Sequence, residues 1–260
     1  MLRRLLEILG IYKIYEKWLW RQIKNGKMPT HIAVILDGNR RWALQKGYPK
    51  WFGHEIGAKR VKELIRWCLE LNIRIVTLYV LSTENLKRDP FELNHLFKIL
   101  EENLEESIND DTFDKYHIKF KAIGCTELLP NKIRNLISKL EEKTKNYNKY
   151  YLNIAVAYGG RAEIINAVKR ILKDVTEGKL NIDEINEDIF EKYLFTAHLP
   201  YPSPDLIIRT SGEERLSNFL LWQSAYSELC FLEVYWPEFR KIDLWRAIRI
   251  YQRRSRRFGL

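Results

Sequence analysis

The chain has 260 residues, 46% of them hydrophobic, and a formal net charge of +10. That is enough apolar material for one sizeable core, and the charge calls for acidic partners: nucleic acid, anionic lipid or phosphorylated small molecules. Three cysteines, Cys68, Cys125 and Cys230, lie far apart without CxxC spacing, which excludes a disulfide scaffold and a zinc site and fits a reducing cytosol. No run of 18 apolar residues exists to span a bilayer, and the N-terminus lacks a signal-peptide apolar region.

Residues 1–24 carry Leu5, Leu9, Tyr12, Tyr15, Leu19 and Ile23 at helical spacing among basic residues, with Trp18 and Trp20 near the end. Such a basic amphipathic helix either lies on a membrane surface or packs on its own domain. Pro29 separates it from the first strand, so 1–28 reads as an extension and 29–260 as the main domain. That strand is an apolar run, Ile32 to Leu36, cut short by Asp37-Gly38-Asn39; the pattern implies burial on both faces and a tight turn at the end. Arg40, Arg41, Lys46, Lys50 and His54 come next, before a helix pattern sets in near Glu55 and runs to about 71.

Residues 73–81 read as a second strand ending in Ser82-Thr83-Glu84-Asn85, and Pro90 opens a long helix over 91–109. The spacing then predicts a strand at 117–123, a helix at 130–146, a strand at 152–158 and a helix at 161–177 after Gly159-Gly160. A polar helical stretch at 183–196 precedes the proline-rich loop 199–204. A strand over 205–209 ends in Thr210-Ser211-Gly212, a last strand lies near 229–235, and a helix covers about 243–256. Strands alternating with helices indicate an α/β fold: one domain, an open six-stranded, mostly parallel sheet flanked by helices. In such sheets ligands bind outside the carboxyl ends of the strands, and three of those ends carry chemistry.

The first end, Asp37-Gly38-Asn39 with its arginines, suits a magnesium diphosphate: a carboxylate for the metal, backbone N–H groups and cations for the phosphate oxygens. An ordinary strand–turn–helix with a solvated basic turn explains the same residues with about equal ease. The second end, Arg209 to Phe219, offers Arg209, Arg215 and Ser217 on a glycine-containing loop for a second diphosphate, unless the arginines simply pair with Glu213 and Glu214. Neither GxxxxGKS/T nor GxGxxG occurs, so nucleotide hydrolysis and dinucleotide redox chemistry lose their usual signatures. Asp110-Asp111-Thr112-Phe113-Asp114 spells the DDxxD of trans-prenyl synthases, but it stands alone at a helix C-terminus and reads as a solvated turn.

Taken together, HIAVILDGNRRWA, Gly53-His54, TLYVLSTEN, NIAVAYGGR, DLIIRTSGEERLSNFLLWQSAYSEL and the terminal RRFG follow the order of the cis-prenyltransferases. The chain resembles that family, the undecaprenyl diphosphate synthases, over 31–260, and its N-terminal stretch looks nearest to archaeal undecaprenyl and eukaryotic dehydrodolichyl diphosphate synthases. The resemblance implies an Mg2+-dependent prenyl transferase that condenses isopentenyl diphosphate onto an allylic diphosphate, farnesyl or geranylgeranyl, to make a long-chain polyprenyl diphosphate. It makes 29–260 the catalytic domain and Asp37 the essential magnesium ligand. Gly38, Asn39, Arg40, Arg41, Trp42, Lys50 and His54 would surround the primer diphosphate. Ser82, Thr83, Glu84, Asn85, Leu86 and Arg88 would form a loop over the reacting centre, with Asn85 near the departing proton. Arg209, Arg215, Leu216 and Ser217 would hold isopentenyl diphosphate, and Glu228 would be a second metal-associated carboxylate. Arg257 and Gly259 match an element that reaches a neighbouring subunit, so a homodimer is implied. A cytoplasmic enzyme touching the inner membrane surface to release product, with no nucleic acid partner, completes the expectation. A hydrophobic tunnel would hold the product, and the helix with Phe91, Leu93, Leu96, Phe97, Ile99, Leu100 and Leu104 could line it.

Three positions depart from the family pattern. Lys50 stands for an arginine, Leu86 for a tryptophan and Glu214 for a histidine, all of which bear on primer choice. The rival reading from charge alone is a nucleic-acid-binding protein, built on the C-terminal run of Arg246, Arg249, Arg253, Arg254, Arg256 and Arg257, but no nucleic-acid-binding module is visible. A non-catalytic partner subunit would be expected to lack Asp37 and its basic surround.

Overall fold

The structure is a computed structural model that describes residues 11–254. Its centre is a six-stranded sheet of β1 (His31–Ile35), β2 (Ile75–Tyr79), β3 (Ile118–Ile123), β4 (Tyr150–Ala155), β5 (Leu206–Arg209) and β6 (Glu228–Phe231). The order is β3-β4-β2-β1-β5-β6 and every pairing is parallel. β1 and β2 are buried at all five positions, as their continuous apolar runs require when helices cover both faces. The chain leaves β1 toward β2 on one side and later returns across it to place β5 on the other. Such a reversal opens a crevice at the carboxyl ends of the two strands.

The helices are α1 (Ile11–Ile23), α2 (Asn39–Gln45), α3 (Lys50–Glu70), α4 (Pro90–Asn109), α5 (Thr112–Tyr116), α6 (Asn131–Thr144), α7 (Gly160–Thr176), α8 (Glu187–Glu191) and α9 (Lys241–Arg253). The expected basic loop after Asp37 is in fact a helix. α2 begins at Asn39, and α3 starts at Lys50 rather than near Glu55, with Pro49 at the break. Two glycines four apart on α3 permit this arrangement: a Cβ on Gly53 would lie 2.0 Å from Asn39 O, and one on Gly57 would lie 2.3 Å from Asn39 Oδ1. The polar stretch at 183–196 is only a short turn and α8, because Asn186 caps it at Ile189 N and five residues complete it.

α1 packs on α9. Leu19 and Ile23 are fully buried, Trp20 lies 5.4 Å from Trp245, and Gln252 Nε2 donates to Ile23 O at 3.0 Å. Ile14 is open to solvent, and Trp18, beneath the Arg249 guanidinium, and Trp20 keep part of their rings exposed at the edge of this contact. The Asp110–Asp114 segment is a solvated turn only at its start: Asp110 and Asp111 are exposed, with Asp110 accepting from Thr112 N at 2.8 Å, but α5 begins at Thr112, Phe113 is buried in the core, and Asp114 pairs with Lys143 at 3.0 Å. Among the described residues no helix is long and apolar enough to cross a membrane.

Candidate active site

β1 and β5 lie side by side with Ile35 opposite Arg209, so their carboxyl ends open into the crevice together. Beyond them the two segments are stitched at one point. Asp37 N donates to Thr210 Oγ1 at 3.0 Å, and Thr210 Oγ1 donates to Asp37 O at 2.7 Å. The chain then turns at Gly38, φ +98°, where a Cβ would meet Tyr235 Cδ1 at 2.5 Å. The turn aims the Asp37 carboxylate back over the strand ends, where Arg209 Nη2 reaches its Oδ2 at 2.8 Å and Arg41 Nη2 lies 3.3 Å from its Oδ1. Burial pushes the Asp37 carboxyl up. The Arg209 hydrogen bond and charge, with Ser211 and Arg41, outweigh that and hold it below the ordinary carboxylate range.

Arg209 is 4% exposed; its Nη1 bonds Ser217 Oγ at 2.7 Å and the Arg215 carbonyl, while its buried Nε has no partner. The loop that wraps it is strained, with positive φ at Ser211 (80°), Ser217 (50°), Asn218 (65°) and Leu220 (43°). Non-glycine residues adopt such angles only where surroundings over-determine them, and here the anchors are Arg209, Asn218 and Tyr79, whose hydroxyl donates to Ser217 O at 3.3 Å. Arg41 joins the loop to α2, bonding Ser211 Oγ at 2.7 Å and Glu213 Oε1 at 2.8 Å. The ion-pair alternative is thus half right. Arg215 pairs with Glu213, whereas Arg209 turns to Asp37.

Opposite this wall, Arg40, Lys50, His54 and Arg88 line the same basic recess with Gly38, Asn39 and Arg215. Arg88 Nη1 donates to Glu92 Oε1 at 2.9 Å, and burial, opposed by Glu92, keeps the His54 imidazole below its usual pKa. The segment 82–88 closes one side. Ser82 N donates to Asn85 Oδ1 and Asn85 N to Ser82 Oγ, both at 3.1 Å, and Glu84 Oε1 accepts from Asn218 Nδ2 at 3.1 Å, tying this turn to the strained loop.

From the rim a cavity of about 1040 Å³ runs between α3, α4 and the sheet. Asp37, Asn39, His54, Ser82, Glu84, Asn85, Arg88, Arg209 and Ser217 stand among its lining; deeper in, Val61, Ile65, Leu96, Phe97, Leu100 and Phe120 make it apolar. It reaches the upper limit of ordinary small-molecule pockets. Leu93 is not among its lining residues, and neither is Phe91, which is 62% exposed at the first turn of α4.

Some expected contributors stand elsewhere. Trp42 stacks with Tyr48 and Phe52 between α2 and α3, Leu86 packs on the apolar core, Leu216 packs under the loop, and Thr83 N bonds Tyr158 O. None of these four lines either recess. Glu228 needs a larger correction. It is the first residue of β6, in register with Leu206 and hence with Ile32, five residues or about 16 Å along the strands from Asp37. There it accepts from Arg254 Nη1 at 3.0 Å, so within one chain it does not join Asp37 at a metal. Arg257 and Gly259 lie outside the described residues. Sequence reasoning missed Glu92 altogether. An acidic residue in a helix's first turn looks like routine end-charge compensation, and only the fold reveals bases from other elements around it.

A sequence profile described as putative undecaprenyl diphosphate synthase matches residues 35–259. The chain belongs to this family. A relative from Methanocaldococcus jannaschii, a tritrans,polycis-undecaprenyl-diphosphate synthase (geranylgeranyl-diphosphate specific), is 49% identical over 256 residues, covering 98% of this chain and 91% of its own. One of the same description from Pyrococcus furiosus is 50% identical over 248 residues, 95% of this chain and 93% of its own. In structure the chain is similar to lavandulyl diphosphate synthase from Lavandula x intermedia in complex with dimethylallyl diphosphate, with a TM-score of 0.87 and 37% identity over 90% of this chain and 99% of that one. A probable undecaprenyl diphosphate synthase from Campylobacter jejuni gives a TM-score of 0.73 and 36% identity over 90% and 100%. As a cis-prenyltransferase the chain is a transferase of prenyl groups, and its crevice is the site in which to seek the chemistry.

Proposed function

We propose that the chain condenses isopentenyl diphosphate repeatedly onto an allylic diphosphate, each time in cis, and releases a long-chain polyprenyl diphosphate that serves as a glycosyl-carrier-lipid precursor. The observation that carries this reading is the position of Asp37, in a basic recess lined by Arg40, Lys50, His54 and Arg88 as well as by Arg209 and Arg215, and at the head of an apolar cavity. The primer diphosphate sits against Arg40, Lys50, His54 and Arg88, and its chain lies down the cavity, which becomes the product tunnel. Isopentenyl diphosphate takes Arg215, Ser217 and the Arg209 fork. As the double bond attacks the allylic carbon, the carbon–oxygen bond to diphosphate breaks and a proton leaves the new unit. The surrounding cations stabilise the charge that develops on the leaving group, and holding two anions side by side is their main task. Asn85 shapes the 82–88 turn rather than taking the proton, because a carboxamide is not basic and its oxygen already accepts from Ser82 N. The naming of the archaeal relatives favours geranylgeranyl over farnesyl diphosphate as primer.

Among the described residues no three His, Cys, Asp or Glu side chains could hold a metal ion together. Asp37 alone still fits magnesium, which takes one or two carboxylates, phosphate oxygens and several waters, and the Asp37 side chain keeps 29% of its surface open. Bound there, the ion neutralises diphosphate charge. Two further parts of the reading concern surfaces. The exposed stripe Ile165, Val168 and Leu172 on α7 supports a homodimer, which would sediment at twice the 31.2 kDa chain mass. Ile14, Trp18 and Trp20 on α1, beside Arg21, support contact of this cytoplasmic enzyme with the inner membrane surface during release.

The test is direct. Purified protein, labelled isopentenyl diphosphate and C15 or C20 allylic diphosphates should give long-chain extractable product with magnesium and none after chelation. No incorporation with any C10–C20 primer, with or without detergent, would sink the assignment.

A further inference from the structure

Glu92 lies in the first turn of α4 and does not line either recess, yet bases from three elements face it. Arg88 Nη1, from the turn before α4, is 2.9 Å from its Oε1; His54 Nε2, from α3, is 3.5 Å from the same oxygen; Arg40 Nη1, from α2, is 3.7 Å from Oε2. The pair with Arg88 is local, at i,i+4 spacing, and alone would be an ordinary surface helix pair. Arg40 and His54 are remote in sequence, and their approach is made by the packing of α2 and α3 through Gly53 and Gly57.

The guanidiniums of Arg40 and Arg88 repel one another unless a carboxylate stands near them, while the His54 imidazole beside them is kept below its usual pKa. Arg40 acts against the charge of Arg88 in this sense, and Glu92 opposes it. The Glu92 side chain is 13% exposed, and its three bases all line the recess that it does not. The His54 hydrogen bond and the charges of Arg88 and Arg40 hold the Glu92 carboxyl down at about 2, so it stays ionised.

We propose that Glu92 is a positioning residue: from behind the wall it gathers Arg40, His54 and Arg88 into one anion-binding surface, and it ties the start of α4, hence one side of the cavity, to the diphosphate. The purpose assigned to that surface rests on the primer-binding reading above, but the geometry does not. Without the carboxylate the bases spread apart, the recess loses its shape for a diphosphate, and binding weakens while the Asp37–Arg209 wall stays intact.

The test is titration calorimetry of the full chain with inorganic pyrophosphate, in which no turnover occurs, followed by steady-state kinetics. Glu92→Gln, which keeps size and removes charge, should weaken pyrophosphate binding about tenfold and raise the primer KM by a similar factor, as loss of an outer orienting partner does. The kcat and the isopentenyl diphosphate KM should stay within about twofold, and Glu92→Asp should recover part of the loss. Asp89→Ala removes the α4 cap, which accepts from Phe91 N at 3.0 Å, without touching the three bases, and should leave pyrophosphate affinity within about twofold. Pyrophosphate binding by Glu92→Gln as tight as or tighter than wild type would overturn the proposal, since the carboxylate would then merely compete for the bases. An equal loss in Asp89→Ala would overturn it too, by assigning the effect to a loosened helix. Normal binding with no prenyl transfer in the wild-type protein would instead count against the enzymatic reading and leave Glu92's role standing.

Discussion

The two halves of the central strands hold polar groups of similar kind and treat them oppositely. In the interior, His31, Thr77, Asn153 and His198 form a row across β1, β2 and β4. His31 Nε2 accepts from Thr77 Oγ1 at 2.8 Å, Asn153 Nδ2 donates to the same oxygen at 3.0 Å, and His198 Nε2 meets Asn153 Oδ1 at 2.9 Å. His31 Nδ1 donates to Tyr201 O at 3.0 Å, which assigns the neutral tautomer. At the carboxyl end Asp37 and Arg41 are partly open to solvent over the buried Arg209, and a strained loop holds the cluster. A buried neutral row that satisfies itself specifies register and excludes water. A charged cluster with cations to spare is poised for a ligand. Polarity therefore does not mark function here; uncompensated charge at an open edge does.

The largest test of that contrast is Asp37→Ala. Its carboxylate is bonded at the rim and makes no core contact, so the fold should survive by circular dichroism while prenyl transfer falls about 10³-fold. Turnover near wild type would remove the rim from the chemistry.

Arg209→Ala should show both effects together. It frees Asp37, Ser217 and the Arg215 carbonyl at once, so we expect activity to fall at least about 10²-fold and unfolding free energy to drop by about 2 kcal/mol in urea. A stability loss without any rise in the isopentenyl diphosphate KM would reduce this arginine to a strut.

The interior row has the smallest effect on activity, and its effect on stability appears only in acid. Burial pushes both His31 and His198 down to about 4 from 6.5. Each therefore binds a proton more readily unfolded than folded. The stability it contributes is complete above pH 6.5 and drains away as pH falls toward 4, by up to about 3 kcal/mol per group. Urea midpoints measured across that window should fall, and His31→Gln should flatten the slope while leaving prenyl transfer at pH 7.5 within about twofold. An unchanged slope would mean that the row is hydrated and not sealed.

Much of the fold was legible because its signals are local. Continuous apolar runs mark strands covered on both faces, and alternation with helices implies a parallel sheet. The core of the site was legible for the same reason: Asp37-Gly38 closes one strand and Arg209-Thr210-Ser211 another, and parallel strands put their carboxyl ends on one edge. The errors fall where distance along the chain hides geometry. α2 is seven residues long and draws its stability from Gly53 and Gly57 on α3, so its own composition reads as a loop. Glu228 precedes the apolar part of β6, and a residue at the start of a parallel strand belongs to the far edge whatever motif it sits in. Trp42 and Leu86 lie beside site residues in sequence but turn into packing, because neighbours in a helix or turn point to different sides.

The sequence by itself determined the element types, the parallel sheet, the family and the strand-end residues that carry charge, since each follows from short-range periodicity and motif order. Only the tertiary structure decided that Arg209 and not Arg215 grips Asp37, that Glu228 stands at the opposite edge, and that Glu92 gathers Arg40, His54 and Arg88. The physical reason is that ion pairs form across whatever distance packing closes. That distance is set by how helices and strands stack in space, and a linear order of residues does not contain it.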